Sequence, residues 1–142
     1  MIMRHASQNM PDCTIFLLAK AYQKAHGLFK AKLRPFHLTN LQHLVLEGLW
    51  YRQGLTAAEL GKLLVLDKAT LSGVLERLLD AQWIRKARDP DDGRVFRIYT
   101  TEKAEKQKKA LIALRVDANE EMLAGFSQAE QVLFKRLLKD LA

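Results

Sequence analysis

The segment that decides the fold covers residues 55–101 and reads LTAAELGKLLVLDKATLSGVLERLLDAQWIRKARDPDDGRVFRIYTT. Thr56 and Glu59 have the spacing of a capping box, which marks the start of a helix. Asp67 is a favoured N-cap residue and predicts the start of a second helix. A charged hairpin follows, in which Asp92 and Gly93 are a hairpin turn signal. The segment therefore predicts two helices joined by a turn, and then a β-hairpin.

The second helix has two chemically different faces. Apolar residues at helical spacing predict a buried stripe of Leu71, Val74, Leu75, Leu78 and Leu79. Small, polar and basic residues occupy the other side, namely Lys68, Ser72, Gly73, Glu76 and Arg77. Such a face suits entry into a DNA major groove. The hairpin adds the basic residues Arg85, Lys86, Arg88, Arg94 and Arg97.

The hairpin also carries a family resemblance. Its run Asp89-Pro90-Asp91-Asp92-Gly93-Arg94, followed by a strand and Thr101-Glu102-Lys103, resembles the wing signature of the MarR family of bacterial transcription regulators. The resemblance covers roughly residues 12–141. It implies a mainly α fold, a winged helix-turn-helix with a two-stranded β-hairpin wing and a helical dimerisation region built from the N- and C-terminal helices. The family usually has glycines near Ala81-Gln82 and Ala104, so we expect the local backbone to differ at those turns.

The resemblance also predicts the domain organisation. We expect residues 1–142 to form a single MarR-like domain, with dimerisation helices at about 1–35 and 102–142 and the DNA-binding region at about 36–101. Helices are predicted at 12–33, from the Thr39 and Gln42 capping box to about Arg52, at 102–124, and after the capping box of Ser127 and Glu130. The helix after Thr39 is apolar on nearly all sides, which predicts burial at the centre of the fold. Residues 1–11 have little periodicity and predict an irregular arm.

Charge and composition agree with a nucleic-acid partner. The chain has 142 residues, a formal net charge of +7 and an isoelectric point near 9.7. A positive balance of this size favours a polyanion. No apolar stretch reaches the roughly 20 residues of a membrane span. One cysteine cannot form an internal disulfide, and no signal-peptide pattern is present, so we expect a cytoplasmic protein without a membrane partner.

The resemblance assigns candidate DNA contacts by position. They are Lys68, Ala69, Thr70, Ser72, Gly73 and Arg77 in the recognition helix, and Arg88 and Arg94 in the wing. Hydroxyl groups can bond base edges, whereas Lys68 and Arg77 are expected to bind phosphate. Arg94 has two possible roles: it can enter the minor groove, or it can pair with Asp89 or Asp92 and stiffen the wing. Arg97 is expected to be a solvated residue of the return strand.

Catalysis has little support in this sequence. No phosphate-binding glycine loop, GxSxG elbow or HExxH helix is present. The four histidines lack a metal-ligand spacing, and only one cysteine could assist them. We therefore expect no enzyme activity, no cofactor and no metal site.

Control of DNA binding is expected from a small molecule or an oxidant. Many family members bind a hydrophobic or aromatic anion in a cleft between the dimerisation helices and the DNA-binding region, and the residues expected to line it are Tyr22, His26, Phe29, His37, Trp50 and Tyr51. Cys13 is a redox candidate, because peroxide sensors of the family use a cysteine near the start of the first helix. An ungapped comparison with that branch places Ile15 at the sensor position. The resemblance thus implies a homodimeric repressor of a palindromic operator that is released by a small hydrophobic or aromatic ligand. Two alternatives stay open: a peroxide-sensing repressor that uses Cys13, and a helical protein-interaction module that does not bind DNA.

Overall fold

The computed structural model describes residues 10–142, so nearly all of the arm predicted for residues 1–11 lies outside the described residues. The helices are α1 (Thr14–Leu33), α2 (Asn40–Tyr51), α3 (Ala57–Leu64), α4 (Lys68–Asp80), α5 (Glu102–Leu123) and α6 (Gln128–Leu141). The strands β1 (Ile84–Arg88) and β2 (Phe96–Thr100) form an antiparallel pair between α4 and α5. Short 3-10 turns cover Met10–Asp12 and Arg34–Phe36. The predicted fold class, mainly helical with a two-stranded wing, is confirmed.

The chain forms two compact units. One contains the described residues up to Lys32 together with Leu114–Ala142, and therefore most of α1, the second part of α5, and α6. The other is Leu33–Ala113, and it contains α2, α3, α4 and both strands. In the part of the chain that the structure describes, no helix is both long enough and apolar enough to cross a membrane.

The core of the second unit is built around α2, which contacts α3, α4 and β2. Leu46, Leu49 and Leu60 are fully buried there, and Gly48 allows the close approach of α3, because a Cβ atom at this position would lie 3.1 Å from Cδ2 of Leu64. The prediction that α2 lies at the centre of the fold is confirmed for this unit, although its apolar residues are not all covered. Its neighbours cover only part of its surface, and Leu41, Leu44 and Tyr51 stay exposed.

Side-chain caps set the start of most helices. The capping boxes at Thr39 and Ser127 are complete, with hydrogen bonds in both directions to Gln42 and Glu130. The box predicted at Thr56 forms only in part among the described residues: Thr56 Oγ1 accepts from the Glu59 amide at 3.2 Å, but the Glu59 carboxylate lies 3.9 Å from Arg97 Nη1. The pattern predicted the helix start correctly, and a charged neighbour competes for the glutamate.

The wing is longer than its turn signal suggested. β1 and β2 pair from Ile84 with Thr100 to Arg88 with Phe96, and residues 89–95 connect them. The turn is closed by the Val95 amide, which donates to the Asp92 carbonyl at 3.0 Å. The Asp92-Gly93 signal located the hairpin, but a two-residue type I′ turn does not form, because such a turn needs positive φ at both central residues and Gly93 has none.

The base of β2 is fixed to the end of α2. The Thr100 amide donates to Gln53 Oε1 at 3.1 Å, and the Thr100 hydroxyl donates to Glu105 Oε1 at 2.5 Å. Farther along β2, the Gly54 amide donates to the Ile98 carbonyl and the Ile98 amide to the Leu55 carbonyl. The wing therefore starts from a strand that is hydrogen-bonded on both edges.

Candidate nucleic-acid interface

Helix α4 presents the two faces that its sequence predicted. Leu71, Val74, Leu75 and Leu78 are buried, and Leu79 is half-buried. On the other side, the exposed residues are Lys68, Ala69, Ser72, Glu76 and Arg77, and Gly73 is half-exposed. The exposed side thus has small residues near the helix N-terminus and basic residues at two positions, a composition that suits direct reading of base edges.

The first turn of α4 is held by Asp67. Its Oδ1 accepts from the Thr70 amide at 2.8 Å and its Oδ2 accepts from the Thr70 hydroxyl at 2.7 Å. These two hydrogen bonds to Thr70 hold the pKa of Asp67 below its ordinary value. The hydroxyl proton of Thr70 is therefore engaged in the cap, and Thr70 can meet a base edge only as an acceptor. Ser72, two residues farther along the helix and fully on its exposed face, is the better candidate donor.

Two arginines shape the tip of the wing. Arg88 Nη1 donates to the Gly93 carbonyl at 2.7 Å, and its guanidinium lies 5.2 Å from the centre of the Phe96 ring. Arg94 pairs with Asp92, through Nε to Oδ1 at 3.1 Å and Nη2 to Oδ2 at 3.3 Å. This is one of the two roles expected for Arg94. Its side chain is nonetheless 91% exposed, so the same guanidinium remains accessible to DNA.

Arg97 is not the solvated residue that the sequence suggested. Its Nε donates to Asp89 Oδ2 at 2.6 Å and its Nη1 donates to the Gly54 carbonyl at 2.9 Å. The pKa of Asp89 is lowered by its hydrogen bond from the Asp91 amide and, next, by that from Arg97, whose own pKa is raised by Asp89. No signal in the sequence indicates the bond from Arg97 to Gly54, because no local spacing connects positions 43 residues apart.

The turn from α4 into β1 is closed by residues of α5 and the turn before it. Gln82 has a φ of 63°, a left-handed conformation that favours glycine, and its carbonyl accepts from Thr101 Oγ1 at 2.7 Å. Lys103 Nζ donates to the Ala81 carbonyl at 2.8 Å and lies 4.6 Å from the centre of the Trp83 ring. A glutamine therefore adopts a glycine-like backbone here, held by its neighbours.

An open groove of about 920 Å³ lies beside the recognition helix. Residues of α3, the turn after it and α4 line the groove, with Lys86 of β1 at one side. Its wall includes Lys68 and Ser72, two of the candidate DNA contacts. None of the six residues predicted to bind a ligand lines it.

The predicted ligand-binding residues belong to both units. Tyr22, His26 and Phe29 lie on α1, and the rings of Tyr22 and His26 are 5.5 Å apart. His37 follows the 3-10 turn after α1, while Trp50 and Tyr51 end α2. Tyr22, His37 and Tyr51 are exposed, and His26, Phe29 and Trp50 are half-buried. Their role in ligand binding stays a prediction.

Cys13 is half-buried immediately before α1, and its carbonyl accepts from the Leu17 amide at 2.9 Å. Ile15, at the position of the peroxide sensors' cysteine, is 79% exposed. Within residues 10–142 no group of three or more His, Cys, Asp or Glu side chains could hold a metal ion.

A helix-turn-helix followed by a basic two-stranded hairpin defines a winged helix DNA-binding protein. The model of the MarR family matches residues 38–96, which cover α2 to the start of β2. Together with the relatives below, this match shows that the chain belongs to the MarR family of transcription regulators.

Three relatives illustrate the similarity. The transcriptional regulator HosA of Escherichia coli O111:H- is 31% identical over 86% of this chain and 94% of its own length. The transcriptional repressor NicR of Pseudomonas putida is 29% identical over 88% of this chain and 79% of its own. The regulator TtmR of Methylorubrum extorquens is 37% identical over 63% of this chain, but the match spans only 44% of TtmR.

Solved structures share the fold. A probable transcriptional regulator from Pseudomonas aeruginosa has a TM-score of 0.89 at 30% identity, covering 94% of this chain and 100% of that one. A mutant of MarR from E. coli, complexed with operator DNA, has a TM-score of 0.82 at 25% identity over 88% and 90% of the two chains. Bordetella bronchiseptica BpsR, described with 6-hydroxynicotinic acid as a regulator of its DNA binding, shares the fold with a TM-score of 0.85 at 24% identity over 95% and 94%.

Proposed function

We propose that this protein is a homodimeric repressor that binds a palindromic operator and leaves it when a small aromatic anion binds. The observation that carries the DNA-binding part is the exposed face of α4 beside a basic wing in one compact unit. The E. coli MarR mutant, which has the same fold and was solved in complex with operator DNA, supports DNA binding by this fold. Lys68, Ala69, Thr70, Ser72, Gly73, Arg77, Arg88 and Arg94 are the proposed contacts.

Exposed apolar faces support the homodimer. In α1, Ile15, Leu17, Leu18 and Tyr22 are exposed, and in α6 the exposed apolar residues are Val132, Leu133, Phe134, Leu137, Leu138 and Leu141. Apolar surface on this scale marks an interaction site in a soluble protein. A second copy of the chain is the proposed occupant, because two recognition helices about one turn of DNA apart can read a palindromic site.

The class of effector is inferred from chemistry and from relatives. The rings of Tyr22, His26, Phe29, His37, Trp50 and Tyr51 offer aromatic surface and nitrogen donors, which suit an aromatic acid. BpsR is described as responding to 6-hydroxynicotinic acid, and this supports the same class here. To release DNA, the effector must bind more tightly to a dimer whose recognition helices no longer match successive major grooves.

The test is a release assay. The duplex is a site selected by the protein from a randomised library, and the added acids are 6-hydroxynicotinate, benzoate and, as the non-aromatic control, cyclohexanecarboxylate. We expect an aromatic acid to release the protein and the non-aromatic acid to have little effect. Absence of release by every aromatic acid would remove the effector class from the proposal, and sedimentation as a monomer at micromolar concentration would remove the dimer.

Peroxide sensing through Cys13 is the alternative, and the same duplex distinguishes it. An organic hydroperoxide should release the wild type but not Cys13→Ser if the thiol is the sensor, since the thiolate is the form that oxidises. We expect both proteins to stay bound, because Cys13 is offset by two residues from the sensor position that Ile15 occupies. Rapid release of the wild type alone would establish the alternative.

A further inference from the structure

Arg97 connects three segments that are far apart in the chain. Its guanidinium bonds Asp89 at the start of the wing loop, at 2.6 Å, and the Gly54 carbonyl between α2 and α3, at 2.9 Å. The arginine itself lies on β2. One planar cation thus ties the loop of the wing to the turn that leads into the helix-turn-helix.

The Asp89 end of this tie controls the shape of the wing loop. Oδ1 of Asp89 accepts from the amides of Asp91 and Asp92, at 2.7 and 3.2 Å, while its Oδ2 faces Arg97. The Asp89 amide also donates to the Val95 carbonyl at 2.8 Å, which closes the loop at its base. A displacement of the Asp89 carboxylate would therefore move the loop that carries Arg94.

The Gly54 end is equally well fixed. Gly54 has a φ of 77° and its amide donates to the Ile98 carbonyl at 3.0 Å. A Cβ atom at this position would lie 3.2 Å from the Tyr99 hydroxyl, so the turn depends on glycine in both conformation and space. Two residues later Thr56 caps α3, which packs against α4. Arg97 therefore connects the wing loop to the support of the recognition helix.

We propose that Arg97 is a positioning residue that holds the wing at a fixed angle to the recognition helix, through its paired bonds to Asp89 and Gly54. This inference rests on the DNA-binding function proposed above. The wing and α4 must reach DNA at the same time, and a wing fixed before binding avoids the cost of ordering it on the DNA. A guanidinium suits this task, because its rigid fork can donate to two acceptors at once, whereas a lysine ammonium is a point charge.

Two neighbouring carboxylates provide a matched comparison. Asp89 bonds Arg97 directly and its side chain is 11% exposed, whereas Glu59 lies 3.9 Å from Arg97 Nη1 and is 44% exposed. Asp89→Asn and Glu59→Gln each remove one negative charge beside the same arginine. Through charge alone, both variants should bind DNA as tightly as the wild type or more tightly. If Arg97 acts by positioning the wing, only Asp89→Asn should weaken DNA binding. The amide oxygen of the new asparagine can still accept from the loop amides, so the loop itself should keep those hydrogen bonds.

The experiment measures affinity and hydroxyl-radical footprints on the selected duplex for the wild type, Arg97→Lys, Arg97→Gln, Asp89→Asn and Glu59→Gln. Loss of a charged hydrogen-bond pair should reduce affinity about tenfold in Asp89→Asn and in both Arg97 variants. Protection by the wing at the outer ends of the site should disappear, while protection by the recognition helix in the major groove remains. Glu59→Gln should match the wild type. Thermal unfolding of each variant identifies any loss of fold.

The possible results distinguish a failure of the positioning role of Arg97 from a failure of the proposed DNA-binding function. If the wild type binds no duplex, the DNA-binding function fails and the inference fails with it. If the wild type binds and Arg97→Lys or Asp89→Asn keeps full affinity and wing protection, Arg97 does not position the wing. An Arg97→Gln that loses its fold leaves the decision to these two milder variants. Equal effects of Asp89→Asn and Glu59→Gln on affinity would show that the region of Arg97 affects DNA binding through charge alone, and would overturn the inference.

Discussion

At the scale of single residues, the turn between α3 and α4 contains a strained valine. Val65 has a φ of 55° and is 89% exposed, so burial of its side chain does not offset the conformational cost of the left-handed backbone. A β-branched residue is poorly suited to this conformation. The Leu66 amide donates to the Gly61 carbonyl at 3.0 Å, as in the usual glycine-containing end of a helix. The position thus meets a backbone requirement with an unfavourable side chain.

We predict that Val65→Gly raises the free energy of unfolding by about 1 kcal/mol, because relief of the left-handed strain exceeds the entropy cost of glycine. Gln82→Gly, at a φ of 63°, should act in the same direction with a smaller gain. Urea unfolding of each variant measures the change. Val65→Ala is the control, since it keeps the Cβ atom and should recover little. A fall in stability of Val65→Gly would show that the valine side chain makes a stabilising contact.

Residues of α4 that contact base edges should affect sequence preference, whereas residues that contact phosphate should affect overall affinity. We predict that a bulky residue at Ser72 reduces the preference for the selected site over a scrambled site more than it reduces overall affinity, because Ser72 lies on the exposed face that we propose enters the major groove. Lys68→Ala should weaken binding to both sites alike and lower the salt slope by about one. Competition binding separates the two effects. Equal loss of preference in both variants would contradict these assignments.

At the scale of elements, local patterns predicted most of the fold. Thr39, Ser127 and Asp67 cap their helices as expected, because a capping signal lies within three residues of sequence. The buried stripe of α4 followed from its spacing for the same reason. The exposure of Leu41 and Leu44 on α2 could not be predicted, since hydrophobicity does not say which neighbours pack on a helix. The tie of Arg97 to Gly54 joins positions 43 residues apart and left no local signal.

The loop of the wing, residues 89–95, should lose its structure in acid. Hydrogen bonds from Arg94 lower the pKa of Asp92, and those from the Asp91 amide and Arg97 lower that of Asp89. Because each folded pKa lies below the ordinary value, the stabilisation is complete above the ordinary carboxylate range near pH 4 and is lost as the pH falls through and below it. The wing should therefore hold its loop at pH 5 and lose it progressively towards lower pH.

Amide spectra between pH 6 and pH 2 test this prediction. The amides of Asp91, Asp92 and Arg94, which donate to these carboxylates, should shift with midpoints below the ordinary carboxylate value. In Asp92→Asn the Asp91 shift should remain, because Asp89 still titrates. Midpoints above the ordinary carboxylate value would show that the wing carboxylates are not held in their charged form.

At the scale of the whole molecule, contacts within the chain hold together the unit Leu33–Ala113 that contains the wing. The proposed homodimer depends instead on contacts with a second copy of the chain. The sequence predicted the helices of both units and their apolar faces. Helical periodicity does not show, however, whether an apolar face is buried within one chain or stays exposed. Leu137 and Leu141 of α6 have the spacing of a buried stripe and are half or more exposed. Residue patterns alone therefore predicted the elements, and the dimer and its effector remain proposals.

The central claim is that the face of α4 and the wing together bind duplex DNA. The most direct measurement is the affinity for the selected duplex and a scrambled duplex across a range of salt concentrations. We predict that the logarithm of affinity falls linearly with the logarithm of salt, because lysine and arginine displace counterions from phosphate, and that the selected site is preferred throughout. A flat response to salt, or no binding to either duplex, would contradict the claim and favour a helical protein-interaction module.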